Sequence, residues 1–255
     1  MYKTTDVNMS KKLLYGITTL AIVLLLFNIY HFFIRAGVGP RYYIDHLRSK
    51  HRDRILESKT YQDYVEEYYL LNKQLSDKKV IVFLGNSITK GFNVHEFLPG
   101  YPVINRGIYF DTTWGIINRL EKNVNNLHVE MLFLMIGYND LKYRTDRDIV
   151  ENISHILSAI TAEKTYMQSI LPVQSDWVEL NKRIINLNED IKQVCLDHHI
   201  EYIDLHSHFI GGKVGLSTQY TRDGVHLNYQ GYILWSKIVL PLISRVMDEA
   251  LINFQ

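Results

Sequence analysis

The sequence contains a single cysteine, Cys195, which rules out an intramolecular disulfide and a cysteine-based zinc cluster. It also lacks any excess of charge: 28 Lys and Arg stand against 27 Asp and Glu, a formal net charge of +1. A nucleic-acid binder needs a concentrated basic surface, and nothing here supplies one. There is no internal repeat and no low-complexity tract. What the 255 residues do contain is apolar side chains, 47% of the total with only 22% charged, enough for a substantial core. The length fits one ordinary domain with an appendage.

The appendage is N-terminal. Residues 13–34 include no Lys, Arg, Asp or Glu, with Lys11 and Lys12 before them and Arg35 after. At about 1.5 Å per residue, a helix of that length crosses a hydrocarbon core of roughly 30 Å. A cleaved signal would have a shorter apolar stretch ending at a small-residue site, and none is found there. The expectation is an N-terminal tail over 1–12 and a transmembrane anchor in the lipid bilayer over 13–34. Arg41, Arg48, Lys50, Arg52 and Arg54 follow the span and by charge count would hold the domain in the cytoplasm. Long domains often translocate regardless of charge, and the expectation is a domain on the outer side. Residues 35–78 are polar, and beyond Pro40 they contain neither Gly nor Pro. Tyr61, Tyr64, Val65, Tyr68, Leu71 and Leu75 recur at steps that predict an amphipathic helix, a stalk or a helix packed on the domain.

From Lys79 the pattern changes. Short continuous apolar runs occur at 80–84, 103–104, 131–136, 165–171 and 200–205. Continuous rather than alternating apolarity means that both faces of a strand are covered. Stretches of helical length separate the runs, at 112–124, 146–162, 177–198 and 229–251. Alternating strands and helices predict a three-layer α/β/α sandwich over 79–255, with a parallel sheet of five strands.

Ligands of such sheets bind beyond the carboxyl ends of the strands. Four polar clusters follow the apolar runs: Gly85-Asn86-Ser87-Ile88-Thr89, Asn105-Arg106-Gly107 leading to Asp111-Thr112-Thr113, Gly137-Tyr138-Asn139-Asp140, and Asp223-Gly224-Val225-His226. Each taken singly reads as well as a turn or a helix cap. Their order and their strand-end placement favour a common site.

Together these clusters resemble the four sequence blocks of the SGNH hydrolase superfamily, the GDSL-like lipase/acylhydrolases. Ser169-Ile170-Leu171-Pro172 resembles a segment found among its carbohydrate-directed and acetylhydrolase members. The resemblance spans about residues 79–250 and implies a flavodoxin-like fold. It also implies a Ser87 nucleophile, a His226 base and an Asp223 that orients the imidazole. The implied oxyanion hole comprises the Ser87 N–H and the Asn139 side chain, with further backbone donors at Phe110 and Gly107. Two positions depart from the pattern: Phe110 stands where relatives have glycine, and Asn86 where they have aspartate. Tyr109 and Tyr138, inside the blocks, are expected pocket walls for a substrate. Trp114, Tyr143 and Trp177 are aromatics elsewhere near the rim.

The implied reaction is acyl transfer from an ester, with an acetyl group on a small or carbohydrate substrate expected, and without metal or organic cofactor. Three rivals remain at this level. Asp204, His206 and His208 alternate and, on an extended segment, would share a face suited to a metal. An O-acyltransferase acting on cell-surface polysaccharide would use the same blocks. A non-catalytic binding module could keep the fold alone.

Overall fold

The computed structural model describes residues 55–252 apart from 76 and 213. The expected tail and anchor, and residues 35–54 of the segment that follows them, lie outside the described residues. Among the described residues no helix is long and apolar enough to cross a membrane.

In chain order the elements are α1 (Lys59–Asn72), β1 (Lys79–Gly85), the short α2 (Ser87–Lys90) and α3 (Val94–Phe97), and β2 (Val103–Gly107). Then come α4 (Thr113–Leu120), continued by a π-helical turn, β3 (His128–Met135) and α5 (Asp146–Ala159). The chain finishes with β4 (Lys164–Gln168), α6 (Val178–Asp197), β5 (Glu201–Ile203), α7 (His206–Phe209) and α8 (Tyr229–Ile252). The strands form one five-stranded sheet in the order β2-β1-β3-β4-β5. Every pairing is parallel.

The alternation of side chains along β1 divides the core into two layers. Val80, Val82 and Leu84 face one side, where Ile116 and Leu120 of α4, Ile149 and Ile153 of α5 and Ile184 and Ile191 of α6 cover them. Ile81 and Phe83 face the other side, against Phe92 and against Trp235, Val239 and Ile243 of α8. All seven residues of β1 except Lys79 are buried, which is why the run reads as continuously apolar. Phe83 stacks on Phe133 with ring centroids 4.8 Å apart, and Phe133 in turn stacks on Tyr166. Phe83→Ala should therefore lower the unfolding free energy by about 3–5 kcal/mol, as measured by urea denaturation.

Helix α1 begins at Ser58, whose hydroxyl accepts from the Tyr61 N–H. It buries Tyr61, Val65 and Tyr68 in a third, smaller cluster with Ile108, just beyond β2. The spacing that predicted a helix thus produces a packed one. Its inward face is mixed, because three of the groups it buries end in a hydroxyl or an amide: Tyr61, Tyr68 and Asn72.

Successive strands step to one side of β1 and then to the other, so the order reverses at that strand. Such a reversal opens a crevice at the carboxyl edge. Ser87 sits at the mouth of it.

Candidate active site

At the end of β1 the chain turns directly into α2. Asn86 caps that turn, its side-chain oxygen accepting from the Ile88 N–H at 3.0 Å. An aspartate there could accept the same bond, so the departure at this position leaves the turn intact. Ser87 is the first residue of the turn, and its own N–H has no acceptor within the helix. Two contacts hold the turn from outside. The Asn105 side chain donates to the carbonyls of Thr89 and Phe92, at 2.6 and 2.8 Å. The Tyr232 hydroxyl of α8 donates to the Ile88 carbonyl at 2.8 Å.

The His226 loop is closed by a bridge between Thr221 and Leu227. Gly224 takes φ +85 inside it, where a side chain would also meet Gln174. Within this loop Asp223 uses both oxygens. Oδ1 accepts from the backbone N–H groups of Val225 and His226, at 3.0 and 2.8 Å, and Oδ2 lies 2.7 Å from Nδ1 of the His226 ring. Burial would raise the Asp223 pKa, but the bonds from the His226 ring and the two backbone N–H groups outweigh it and bring it down to about 2. An ionised carboxylate only accepts, so Nδ1 carries the ring proton. That leaves Nε2 as an acceptor, and it lies 3.0 Å from the Ser87 hydroxyl. The side chains of His226 and Asp223 are 44% and 53% exposed, so the site opens widely to solvent.

The third block brings Asn139 to the same edge, at the start of a short 3-10 turn. Its side-chain amide donates to the Asp111 carbonyl at 2.9 Å, which occupies one of its two N–H groups. Next to it, Asp140 is fully buried and accepts from the N–H and hydroxyl of Thr113, with Arg144 also 2.9 Å away. Burial raises the Asp140 pKa to about 6, against those stabilising contacts.

The second block clarifies the glycine-to-phenylalanine departure. The Asp111 N–H bonds the Ile108 carbonyl at 3.3 Å, closing a turn in which Phe110 has φ +62. That is the left-handed region, which costs an L-residue about 1–2 kcal/mol and which glycine enters freely. The backbone therefore keeps the path expected of a glycine, and the Phe110 ring, 64% exposed, projects outwards. Phe110→Gly should retain turnover of a small aryl acetate within about threefold and leave the melting temperature unchanged or slightly higher, because the backbone N–H is kept and the strain removed. Steady-state kinetics and thermal denaturation together check this.

Gly107 has a different role from the expected one. Its N–H donates to the Asn105 side chain at 2.7 Å, so it is already engaged. A Cβ there would collide with the Lys90 backbone, so this glycine serves close approach of β2 to α2. Tyr138 is half-buried, and its pKa is raised first by burial and then by the Asp223 charge, which puts it beside the loop. Tyr109 is exposed, with its ring 6.2 Å from Tyr64 of α1.

Asp204, His206 and His208 are not brought together on a strand. His206 begins a helical turn and is buried, its Nδ1 3.0 Å from the Ile170 carbonyl, while Asp204 accepts from the Ser207 N–H. The expected common face required an extended backbone, and the turn removes it. Among the described residues no group of three or more His, Cys, Asp or Glu side chains could hold a metal.

Sequence reasoning missed the groups behind the site. Asp111 is wholly buried, with Arg119 2.8 Å from Oδ2 and the Tyr61 hydroxyl 2.9 Å from Oδ1. Arg119 also donates to the Arg106 carbonyl. In the sequence Asp111 shows only as part of the second polar cluster and Tyr61 only as one position of an amphipathic helix, and nothing there joins them.

A parallel sheet with a reversal at β1 thus carries a serine, a histidine and a carboxylate bonded in series at its carboxyl edge. The model of the GDSL-like lipase/acylhydrolase family matches residues 83–234, and the chain belongs to that family. It is an ester-hydrolysing enzyme. Among solved structures, a GDSL-like lipase from Bacteroides thetaiotaomicron is 25% identical over 71% of this chain and 97% of its own, with a TM-score of 0.64. A Streptococcus pneumoniae protein named for platelet activating factor is 24% identical over 72% and 93%, with a TM-score of 0.67. An acetyl xylan esterase is 19% identical over 65% and 99%, with a TM-score of 0.55. No curated protein sequence matches the chain.

Proposed function

We propose that the chain is a serine esterase that removes an acetyl group from a carbohydrate, using Ser87, His226 and Asp223. The Ser87 hydroxyl attacks the ester carbonyl and passes its proton to Nε2 of His226. The negative oxygen that forms accepts from the N–H groups of Ser87 and Phe110 and from the free amide hydrogen of Asn139. The sugar hydroxyl leaves with the proton from His226, and the acetyl group stays on Ser87. Water then gives its proton to His226 and attacks the acetyl carbon, releasing acetate and restoring the serine. Asp223 keeps the ring in the needed tautomer throughout.

The observation that carries this reading is the unbroken series from hydroxyl to imidazole to carboxylate, at 3.0 and 2.7 Å. Support for a carbohydrate comes from the exposed rings of Tyr109, Phe110 and Trp114 around the donor turn, since aromatic faces pack well on the apolar faces of sugars. Two fold relatives are acetylxylan esterases, one of them from Geobacillus stearothermophilus. The wide opening around His226 suits a bulky alcohol portion.

A panel of acetyl, butyryl and octanoyl aryl esters, followed by acetylated xylan and peptidoglycan fragments, tests the substrate. The expected result is at least a tenfold preference for acetyl in kcat/KM, with acetate released from a glycan. Faster turnover of the octanoyl ester would overturn the acetyl assignment, and acetyl transfer to an added glycan rather than to water would make the enzyme a transferase. Asn139→Ala should lower kcat by roughly 10²–10³-fold with a smaller change in KM.

The same proposal has residues 13–34 anchoring the domain on the outer side of the membrane. The support is the uncharged stretch itself, long enough to span. Release of the domain by protease added to intact cells is expected, and full protection would reverse the orientation.

A further inference from the structure

Helix α1 lies outside the stretch matched by the family, yet it reaches the back of the site. Tyr61 is 4% exposed, and its hydroxyl donates to Oδ1 of Asp111 at 2.9 Å. The other oxygen of that carboxylate takes the Arg119 guanidinium at 2.8 Å, and Oδ1 also accepts from the Thr112 N–H at 3.0 Å. Through its main chain the same aspartate serves the site twice. Its carbonyl accepts from the Asn139 amide, and its N–H closes the turn that holds Phe110 in the left-handed conformation.

A second observation points the same way. Gly115 lies inside α4, where glycine weakens a helix relative to alanine. A Cβ at that position would overlap Oδ1 of Asp111 and crowd the Tyr61 oxygen. The glycine leaves room for the bond between them.

We infer that Tyr61 is a positioning residue for the oxyanion-binding groups, acting through Asp111 on Asn139 and on the Phe110 turn. This rests on the proposed roles of Ser87 and Asn139. Arg119 anchors only one oxygen of the carboxylate, so loss of the Tyr61 hydroxyl leaves the other held by a single local backbone bond. The carboxylate can then rotate, and the peptide that carries the Asn139 acceptor shifts with it. Misplacement by a fraction of an ångström in groups that meet a transition state reduces the catalytic rate more than substrate affinity.

The test uses the full-length chain with an aryl acetate, well below the melting temperature. Tyr61→Phe keeps the packed ring and removes only the hydroxyl. Gly115→Ala disturbs the same bond from the other side. Each is expected to lower kcat about tenfold while KM stays within twofold. Ile153→Val, a core truncation on α5, serves as the control for destabilisation and should keep wild-type kcat. Wild-type kcat in folded Tyr61→Phe or in folded Gly115→Ala would overturn the inference, as would an equal loss of kcat in the Ile153→Val control. An active Ser87→Ala enzyme would instead remove the underlying reading of the site, so the two failures are distinguishable.

Discussion

Ser87→Ala should lower kcat by roughly five to six orders of magnitude, the scale on which loss of a serine nucleophile acts. The physical reason is that no other hydroxyl stands at 3.0 Å from Nε2 of His226 among the described contacts. A water molecule in its place would lack the covalent step that splits one high barrier into two lower ones. The fold should survive, because the Asn86 cap, the Asn105 bonds and the Tyr232 bond that hold α2 do not involve the serine side chain. Unchanged circular dichroism together with lost turnover is the expected pair of results. Covalent labelling by a fluorophosphonate should vanish in the same variant.

Asp223→Asn should lower kcat by about 10⁴-fold while changing stability little. An asparagine can still accept from the Val225 and His226 N–H groups through its oxygen, so the loop stays closed. Its amide would then donate to Nδ1 and move the ring proton to Nε2, where it blocks acceptance from Ser87. Stability should barely respond because the Asp223 side chain is 53% exposed and solvent screens its charge. The sign of the pH dependence follows from the depressed pKa. With a folded-state value of about 2, below the ordinary 3.8, any stabilisation from the ionised carboxylate is complete above about pH 4 and lost as pH falls through 2. Activity lost on acidification at higher pH therefore does not come from Asp223. Urea denaturation at several pH values between about 2 and 5 checks the sign.

Much of the fold was legible because burial on both faces leaves a continuous apolar run. The run at 80–84 became β1 with its odd and even residues split between two core layers. Helix lengths followed from the gaps between runs, and the predicted 229–251 stretch became Tyr229–Ile252. The site was legible to the extent that its groups sit at the ends of those runs. Asp223 and His226 are three residues apart, so their contact is local, and it was the family resemblance that implied it.

Other features were hidden because they depend on where a backbone bond points. Whether Gly107 offers its N–H or spends it on Asn105 is decided by a turn of two residues that no pattern encodes. The alternation of Asp204, His206 and His208 suggested a shared face, and a single helical turn beginning at His206 dispersed it.

The sequence by itself determined the layer order and the strand-end placement of the polar blocks. These follow from hydrophobic period and short-range geometry, which the chain carries in its local order. Only the tertiary structure decided that Ser87 meets an imidazole 139 positions away, that Phe110 adopts a glycine-like backbone, and that Tyr61 closes on Asp111. Contacts between distant segments depend on how the helices and sheet pack in three dimensions, and no local pattern of residues records the result.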